Sequence, residues 1–401
     1  MRKHKSDRVI AVLTFLLMGL GLIVIYAIGP MRANFMNAAY GVDYDANYFF
    51  IHQLISVVLA AGAFILAFKI PYEQTRRVAK ILMMAGLVAC AVLMVAGWEH
   101  MGIAKCELGA CRWFNLGALG SFQPAELLKL GLVLYLSGLV AERKKEGKLE
   151  SSSDFWMPFA VVAVLSLGFV VVVQKDFGSG VPIAAIILAI LWMSGVSVKK
   201  FWTIVGIAAI GAVLLVVSSP HRLERLSTFG GGDTADSYHI DNAMIAIGTG
   251  GFWGVGIGNS VQATGYLPES INDSVFAVMG ETFGFRGLVL VIVGFLILLL
   301  RLLKVSEYLP DAEERLVVIG VFAWVMSHSV VNVAAMTGLI PLTGITLPLL
   351  SYGGTSMIFV AFALGLTLQL SCYTGREVIN EYTSSRRGER GTYYTGRRRS
   401  A

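Results

Sequence analysis

Residues 9–29 read VIAVLTFLLMGLGLIVIYAIG, with no charged side chain, and four basic residues precede them at Arg2, Lys3, Lys5 and Arg8. About 20 apolar residues carry a helix across the hydrocarbon core of a bilayer. A segment of this kind near an N-terminus is either a membrane span or a signal peptide. The rest of the chain decides between them. Further apolar runs fall near Phe50–Ile70, Ala79–Gly97, Glu126–Val140, Pro158–Val173, Val181–Gly195, Phe201–Val217, Val275–Leu303, Leu316–Met336 and Ser351–Cys372. Nothing between them forms a soluble domain, so the first segment is read as a retained helix. The fold class is an all-α polytopic membrane protein of about ten transmembrane helices.

Composition agrees. The 401 residues are 56% hydrophobic and 14% charged, where a soluble domain carries roughly 25% charge. Too little polar surface is left to dissolve a chain of this size. The net charge of +6 matters through its placement. Basic clusters at Arg76, Arg77 and Lys80, at Arg143, Lys144, Lys145 and Lys148, and at Lys199 and Lys200 each flank an apolar run. That placement argues for topology determinants and against nucleic-acid binding. With the N-terminus inside, those clusters, Lys304 and the C-terminal arginines all fall on the cytoplasmic side. The opposite loops hold Arg32, Lys105, Arg112, Lys175, Arg222 and Arg225. Both termini are therefore expected in the cytoplasm, and a large extracytoplasmic loop, about residues 218–274, precedes the eighth helix. Residues 1–372 form one transmembrane domain. Residues 373–401, which include Arg386, Arg387, Arg390 and Arg397–Arg399, form a basic tail of disordered composition, suited to anionic lipid or a cytoplasmic protein.

Charges at membrane depth are costly and default to functional hypotheses. Glu126 and Lys129 stand three apart on one helix face, either as an internal ion pair or as a cavity wall that meets an anionic headgroup. Asp176 precedes Gly178-Ser179-Gly180, and capping the next helix is a sufficient account of it. Glu269, Asp273 and Glu281 would share a face if one helix ran through them, with Asp273 at the outer mouth of the eighth span. A carboxylate in a partly apolar mouth has a raised pKa and suits general-base chemistry; helix capping is the bland alternative. Arg222 and Arg225 match phosphate oxygens, or anchor the loop at the interface. The glycines at 254, 256 and 258 imitate part of a dinucleotide fingerprint without the surrounding βαβ unit. The six histidines show no paired spacing, and the chain carries neither a P-loop nor a nucleophile elbow. Cys106 and Cys111 lie in one extracytoplasmic loop, where a disulfide persists. They are read as a bridge beside Arg112, with two free thiols the alternative in a reducing habitat.

Four ordered blocks resemble the SEDS family (shape, elongation, division and sporulation), represented by FtsW, RodA and SpoVE. They are Arg112-Trp113-Phe114-Asn115-Leu116-Gly117 with Gln123-Pro124-Ala125-Glu126 and Lys129; Gln174-Lys175-Asp176-Phe177-Gly178-Ser179; Gly250-Gly251 through Gln262, Leu267-Pro268-Glu269-Ser270, Asp273 and Gly280-Glu281; and Pro341-Leu342-Thr343-Gly344 with Leu347-Pro348 and Ser351-Tyr352-Gly353-Gly354-Thr355-Ser356. The resemblance implies a peptidoglycan glycosyltransferase that polymerises lipid II, an undecaprenyl-pyrophosphate-linked disaccharide peptide, on the outer face of a bacterial cytoplasmic membrane. It implies Asp273 as the general base, Arg112 and Lys129 beside the pyrophosphate, and Glu126, Asp176, Arg225, Gln262, Glu269, Glu281 and Ser351 as further substrate-binding positions. The implied partners are a class B penicillin-binding protein of the FtsI type and other divisome membrane proteins. No organic cofactor is implied, and a divalent cation, Mg or Mn, on the pyrophosphate is compatible with the reaction. The tail and the fourth block lean toward an FtsW-like role at the division septum over a RodA-like one in elongation. A lipid II flippase and a non-catalytic division scaffold compete with the polymerase; functional charges spread through both leaflets would favour the flippase. Three departures stand out. Lys175 occupies a position usually held by proline, Ser274 one usually held by an aromatic residue, and the cysteine pair is not a general feature of the family.

Overall fold

The structure, a computed structural model, describes residues 5–98, 102–107, 110–117, 120–217 and 235–374. Arg222, Arg225, the glycines at 230–232 and the tail beyond Thr374 lie outside the described residues. Among the described residues, ten helices are long and apolar enough to cross a membrane, one for each expected run. They are α1 (Arg8–Tyr40), α2 (Tyr48–Lys69), α3 (Tyr72–Trp98), α4 (Pro124–Lys145), α5 (Ser152–Val173), α6 (Phe177–Ser194), α7 (Val198–Val217), α9 (Val275–Tyr308), α10 (Ala312–Met336) and α11 (Gly354–Leu370). A further helix, α8 (Ala235–Gly250), falls in the segment expected as a loop.

Local chemistry sets several of the helix ends. Asp7 accepts from the Val9 N–H and caps α1, whose last turn closes on Gly41 in the left-handed conformation. Pro124 opens α4, where its missing N–H costs nothing, and Arg143, Lys144 and Lys145 fill the last turn, where the carbonyl dipoles favour cations. Asp311 caps α10 by accepting from the N–H groups of Glu313 and Glu314.

Packing sorts the spans into a centre and a rim. α4 is buried along most of its length, α10 and α11 nearly as much, and α7 buries no residue. Lipid tails are as apolar as leucine, so tight backbone approach must join the spans. In the α3–α4 pair, a Cβ added at Gly131 would stand 2.6 Å from the Met83 Cα, and one at Gly86 would stand 2.8 Å from the Leu128 Cα. Any larger residue would force the two helices apart.

At the end opposite the basic clusters, the connections are built structures. Three strands, β1 (Ala104–Glu107), β2 (Ala110–Asn115) and β3 (Ser121–Phe122), form an antiparallel sheet. This is an addition to the all-α expectation. Cys106 pairs with Cys111 across β1 and β2, and the two are joined by a disulfide. The bridge rests on the end of α3, where a Cβ on Gly97 would lie 2.6 Å from the Cys111 Sγ.

α9 departs most from a plain span. A straight helix of its 34 residues would run about 51 Å, well beyond a hydrocarbon core of about 30 Å. It breaks at Gly284, whose φ of 69° and ψ of −169° suit only glycine. The backbone groups freed by the break are taken up by the chain leaving α8. The Val255 N–H donates to the Glu281 carbonyl and the Gly256 N–H to the Thr282 carbonyl. In return the Phe285 N–H donates to the Gly251 carbonyl. Non-helical backbone at membrane depth survives where protein satisfies it, and the glycines between 250 and 258 serve that interlock.

Candidate active site

Three polar groups meet around residues 343–346, in the connection between α10 and α11. The first is built by β2, the start of α4 and the turn into α6. Arg112 projects from β2, donating through Nη2 to the Lys175 carbonyl at 2.9 Å and through Nε to the Gln174 carbonyl at 3.4 Å. Asp176 caps α6, its Oδ1 accepting from the Ser179 N–H at 3.0 Å. Gln123 donates to the Asp176 Oδ2 at 3.1 Å. A Cβ on Gly178 would lie 2.6 Å from the Thr343 carbonyl oxygen, so the start of α6 abuts the α10–α11 connection.

The second group is buried between α4 and α10. Lys129 is fully enclosed and donates to Glu126 Oε1 at 2.6 Å and to His328 Nε2 at 3.0 Å. An ammonium only donates, so Nε2 accepts and the His328 proton sits on Nδ1. From there it reaches the Thr346 carbonyl at 3.3 Å. The Trp324 ring lies 5.2 Å from the Lys129 nitrogen. Of the two readings of Glu126 and Lys129, the structure shows the internal ion pair. The second oxygen of Glu126 is buried without a hydrogen-bond partner.

The third group surrounds Asp273, which is buried just ahead of α9. Four residues on from His328, Asn332 donates 2.7 Å bonds to the Asp273 and Ile345 carbonyls. The Tyr352 N–H donates to the Ile271 carbonyl. Ser351 closes its own turn, its Oγ accepting from the Leu347 N–H at 2.8 Å. These bonds clamp the Asp273 turn to the connection that also meets His328 and the start of α6. Burial pushes the Asp273 carboxyl up to about 7, Glu269 adds to the shift, and hydrogen bonds from its own backbone and Ser274 oppose it.

One expectation is corrected. Glu269, Asp273 and Glu281 do not share the face of one helix, because the chain ahead of α9 is a turn. Glu269 sits at a φ of 45°, outside helical backbone, and faces Arg32 of α1 at 3.7 Å. Glu281 lies inside the interlock and receives the Ser260 hydroxyl at 2.5 Å and the Val261 N–H at 2.9 Å. The Gln262 N–H also points to it, so Glu281 holds the returning chain. The sequence reading passed over His328 and Asn332. Their signal was legible, since polar residues one turn apart inside an apolar span are a functional pattern. Among the described residues no three His, Cys, Asp or Glu side chains gather as a metal's ligands.

A ten-span membrane protein with a loop-built polar site at one end, centred on a buried carboxyl, an internal lysine and an arginine, is thereby defined. Over residues 7–375 the chain matches the profile of the cell cycle proteins of the FtsW, RodA and SpoVE type, and it belongs to that family. It is 34% identical over 363 residues to the probable peptidoglycan glycosyltransferase FtsW of Nitrosomonas europaea, covering 88% of this chain and 90% of the relative. It is 29% identical to the stage V sporulation protein E of Bacillus subtilis, over 93% of this chain and 99% of that one. Among solved structures, a chain of a peptidoglycan synthase complex that coordinates polymerization and crosslinking superposes with a TM-score of 0.70 at 23% identity, covering 91% of this chain and 97% of that one. The rod shape determining protein RodA of Thermus thermophilus gives 0.65, also at 23%, covering 91% and 96%. The protein is a multi-pass bacterial membrane protein.

Proposed function

We propose that this protein is a peptidoglycan glycosyltransferase that polymerises lipid II on the outer face of the cytoplasmic membrane, with Asp273 as general base. The observation that carries the reading is the setting of Asp273: a buried carboxyl near neutrality in its ionisation, clamped by its own carbonyl to α10. A base poised near the working pH is matched to proton abstraction. The 4-hydroxyl of the acceptor sugar attacks the anomeric carbon of the donor, and its proton passes to Asp273. The bond from that carbon to the pyrophosphate oxygen breaks, and undecaprenyl pyrophosphate leaves with the electron pair.

The leaving charge needs a cation. Arg112 uses two of its five N–H groups on backbone carbonyls, and its remaining donors suit pyrophosphate oxygens. Lys129 is neutralised by Glu126 and enclosed, so its role is to order the base of the site through His328. Asp176 and Ser351 shape the wall, Glu281 and Gln262 the floor, and Glu269 the rim. Arg225 is retained as a substrate contact on the resemblance alone. Any divalent cation would arrive with the pyrophosphate.

The basic clusters support a cytoplasmic N-terminus and tail, with the site outside, where lipid-linked precursors are joined. Residues 1–372 act as one transmembrane unit and 373–401 as a cytoplasmic tail. Relatives called FtsW support a role at the division septum beside an FtsI-like class B penicillin-binding protein and other divisome membrane proteins. The test is polymerisation of lipid II by purified protein, alone and with that partner, comparing wild type with Asp273→Asn. Glycan strands from wild type only are the expected result. Equal strands from both would remove Asp273 from the mechanism. No strands from either, with the partner present, would replace the polymerase by a flippase or a scaffold.

A further inference from the structure

Ser274, the residue after the proposed base, is fully buried. Its hydroxyl has three neighbours. The Pro268 carbonyl lies at 2.9 Å, Asp273 Oδ1 at 3.4 Å, and His239 Nε2, from α8, at 2.6 Å. A hydroxyl donates one proton and accepts at its lone pairs. Pro268 offers only an acceptor, and an ionised Asp273 offers only acceptors. With the Ser274 proton directed to either of these acceptors, His239 Nε2 carries a proton and donates to the Ser274 oxygen. With Asp273 protonated, the Ser274 proton rests on the Pro268 carbonyl. With Asp273 ionised, rotation about the Cβ–Oγ bond turns that proton onto the carboxylate. Donation from His239 polarises the hydroxyl and makes it a stronger donor.

We infer that His239 and Ser274 are positioning residues for Asp273, a hydrogen-bond chain from α8 that supports the carboxylate form of the base. The inference rests on the assignment of Asp273 under the proposed function. It accounts for the way α8 is joined to the Asp273 turn, through the buried contact of His239 with Ser274. The charged and titratable groups around this turn are few. Glu269 lies on the turn itself and Arg32 of α1 faces it. α8 contributes His239, α10 contributes the neutral amide of Asn332, and residues 337–353 carry no Asp, Glu, Lys, Arg or His. The Ser274 hydrogen bond is among the influences that hold Asp273 down against burial.

The experiment compares wild type, Ser274→Ala, His239→Leu, His239→Gln and the Ser274→Ala/His239→Leu double variant in two measurements across pH. The first is lipid II polymerisation rate at saturating substrate. The second is the unfolding temperature in detergent, with Asp273→Asn as reference, which needs no catalysis. The folded value of Asp273 lies above its unfolded one. Its contribution to stability is therefore full below about pH 4 and lost as pH rises through about 7. Removing the chain raises the folded value further. Ser274→Ala and His239→Leu are expected to move both the rising limb of the rate and the Asp273-dependent fall in unfolding temperature upward by roughly 0.5 to 1 pH unit. His239→Gln, which keeps an N–H donor, is expected to stay with wild type, and the double variant to move no further than Ser274→Ala alone. Profiles that superimpose on wild type, or single-variant movements that add fully, would overturn the inference. If Ser274→Ala or His239→Leu does not fold, Ser274→Cys and His239→Asn, with weaker or shorter-reaching donors, replace them, and an upward movement or a superimposed profile decides in the same way. Were Asp273→Asn to polymerise lipid II as wild type does, the catalytic reading would fail, while the unfolding curves would still decide the chain.

Discussion

Asp273 sits one residue ahead of Ser274, the cap position of α9, where the chain leaves a turn and enters the membrane. Its backbone carbonyl is held by Asn332 while its carboxyl faces an interior too apolar to favour charge. Replacing Asp273 by Asn keeps the shape and removes the base, so polymerisation should fall by about 10²- to 10⁴-fold, with lipid II binding retained in a direct binding measurement. In wild type the rate should rise with pH to a half-point near 7, because the carboxylate is the active form and burial raises its value to about 7. Read residue by residue, the sequence singled out Asp273 and the Glu126–Lys129 pair, because charges in apolar surroundings are conspicuous; Arg112 entered only through the resemblance. That reading did not reach His328, Asn332 or His239. His328 and Asn332 stand one turn apart in an apolar span, but the partners that give all three their meaning lie on other elements or in other turns.

The elements show where glycine and cysteine matter. Gly284 breaks α9 at a backbone conformation closed to other residues, and an added Cβ would press on the Gly254 N and stand 2.5 Å from the Phe252 carbonyl oxygen. Gly284→Ala is therefore expected to destabilise the protein by about 1–3 kcal/mol or more, read as a lower unfolding temperature and loss of a folded gel-filtration peak in detergent. Glu281, which receives Ser260, Val261 and Gln262, stitches the same interlock. The Cys106–Cys111 bridge closes the turn that presents Arg112 on β2. Loop-closure entropy for so short a loop gives a stabilisation of about 2 kcal/mol. The double Cys106→Ser/Cys111→Ser variant should unfold a few degrees lower and need more lipid II for half-maximal rate, because Arg112 is less firmly placed. The sequence proposed this pair from its side of the membrane. The break at Gly284 escaped it, because a helix that stops and restarts keeps an unbroken apolar pattern.

At the scale of the whole molecule, α4 is buried among α3, α6 and α10, and the spans bring the sheet, the α8–α9 segment and the α10–α11 connection to one end. The basic clusters gather at the other end, around the connections after α2, α4, α6 and α9. With those connections inside, an impermeant maleimide should label a cysteine introduced as Gly117→Cys in intact spheroplasts. One introduced as Gly147→Cys should be labelled only after permeabilisation. Both belong in a background with Cys106 and Cys111 replaced by Ser. The reverse pattern would turn the site toward the cytoplasm and remove it from lipid II on the outer face.

By itself the sequence determined the number of spans, their order and their basic flanks. Those reflect the cost of placing charge in hydrocarbon, which every residue meets independently of its distant neighbours. It also marked the residue types suited to sugar-transfer chemistry. The tertiary structure alone decided which of them meet. Residues 343–346 carry no charge, yet the start of α6, His328 and Asn332 all converge on them. The reason is physical: in an interior without water, a backbone polar group left without a partner is costly, and its partner is set by how helices far apart in sequence pack. Glu281 illustrates the difference. Read along the chain it was a carboxylate in line with the proposed base, and in three dimensions its oxygens are taken up by the backbone and hydroxyl groups of the chain returning from α8.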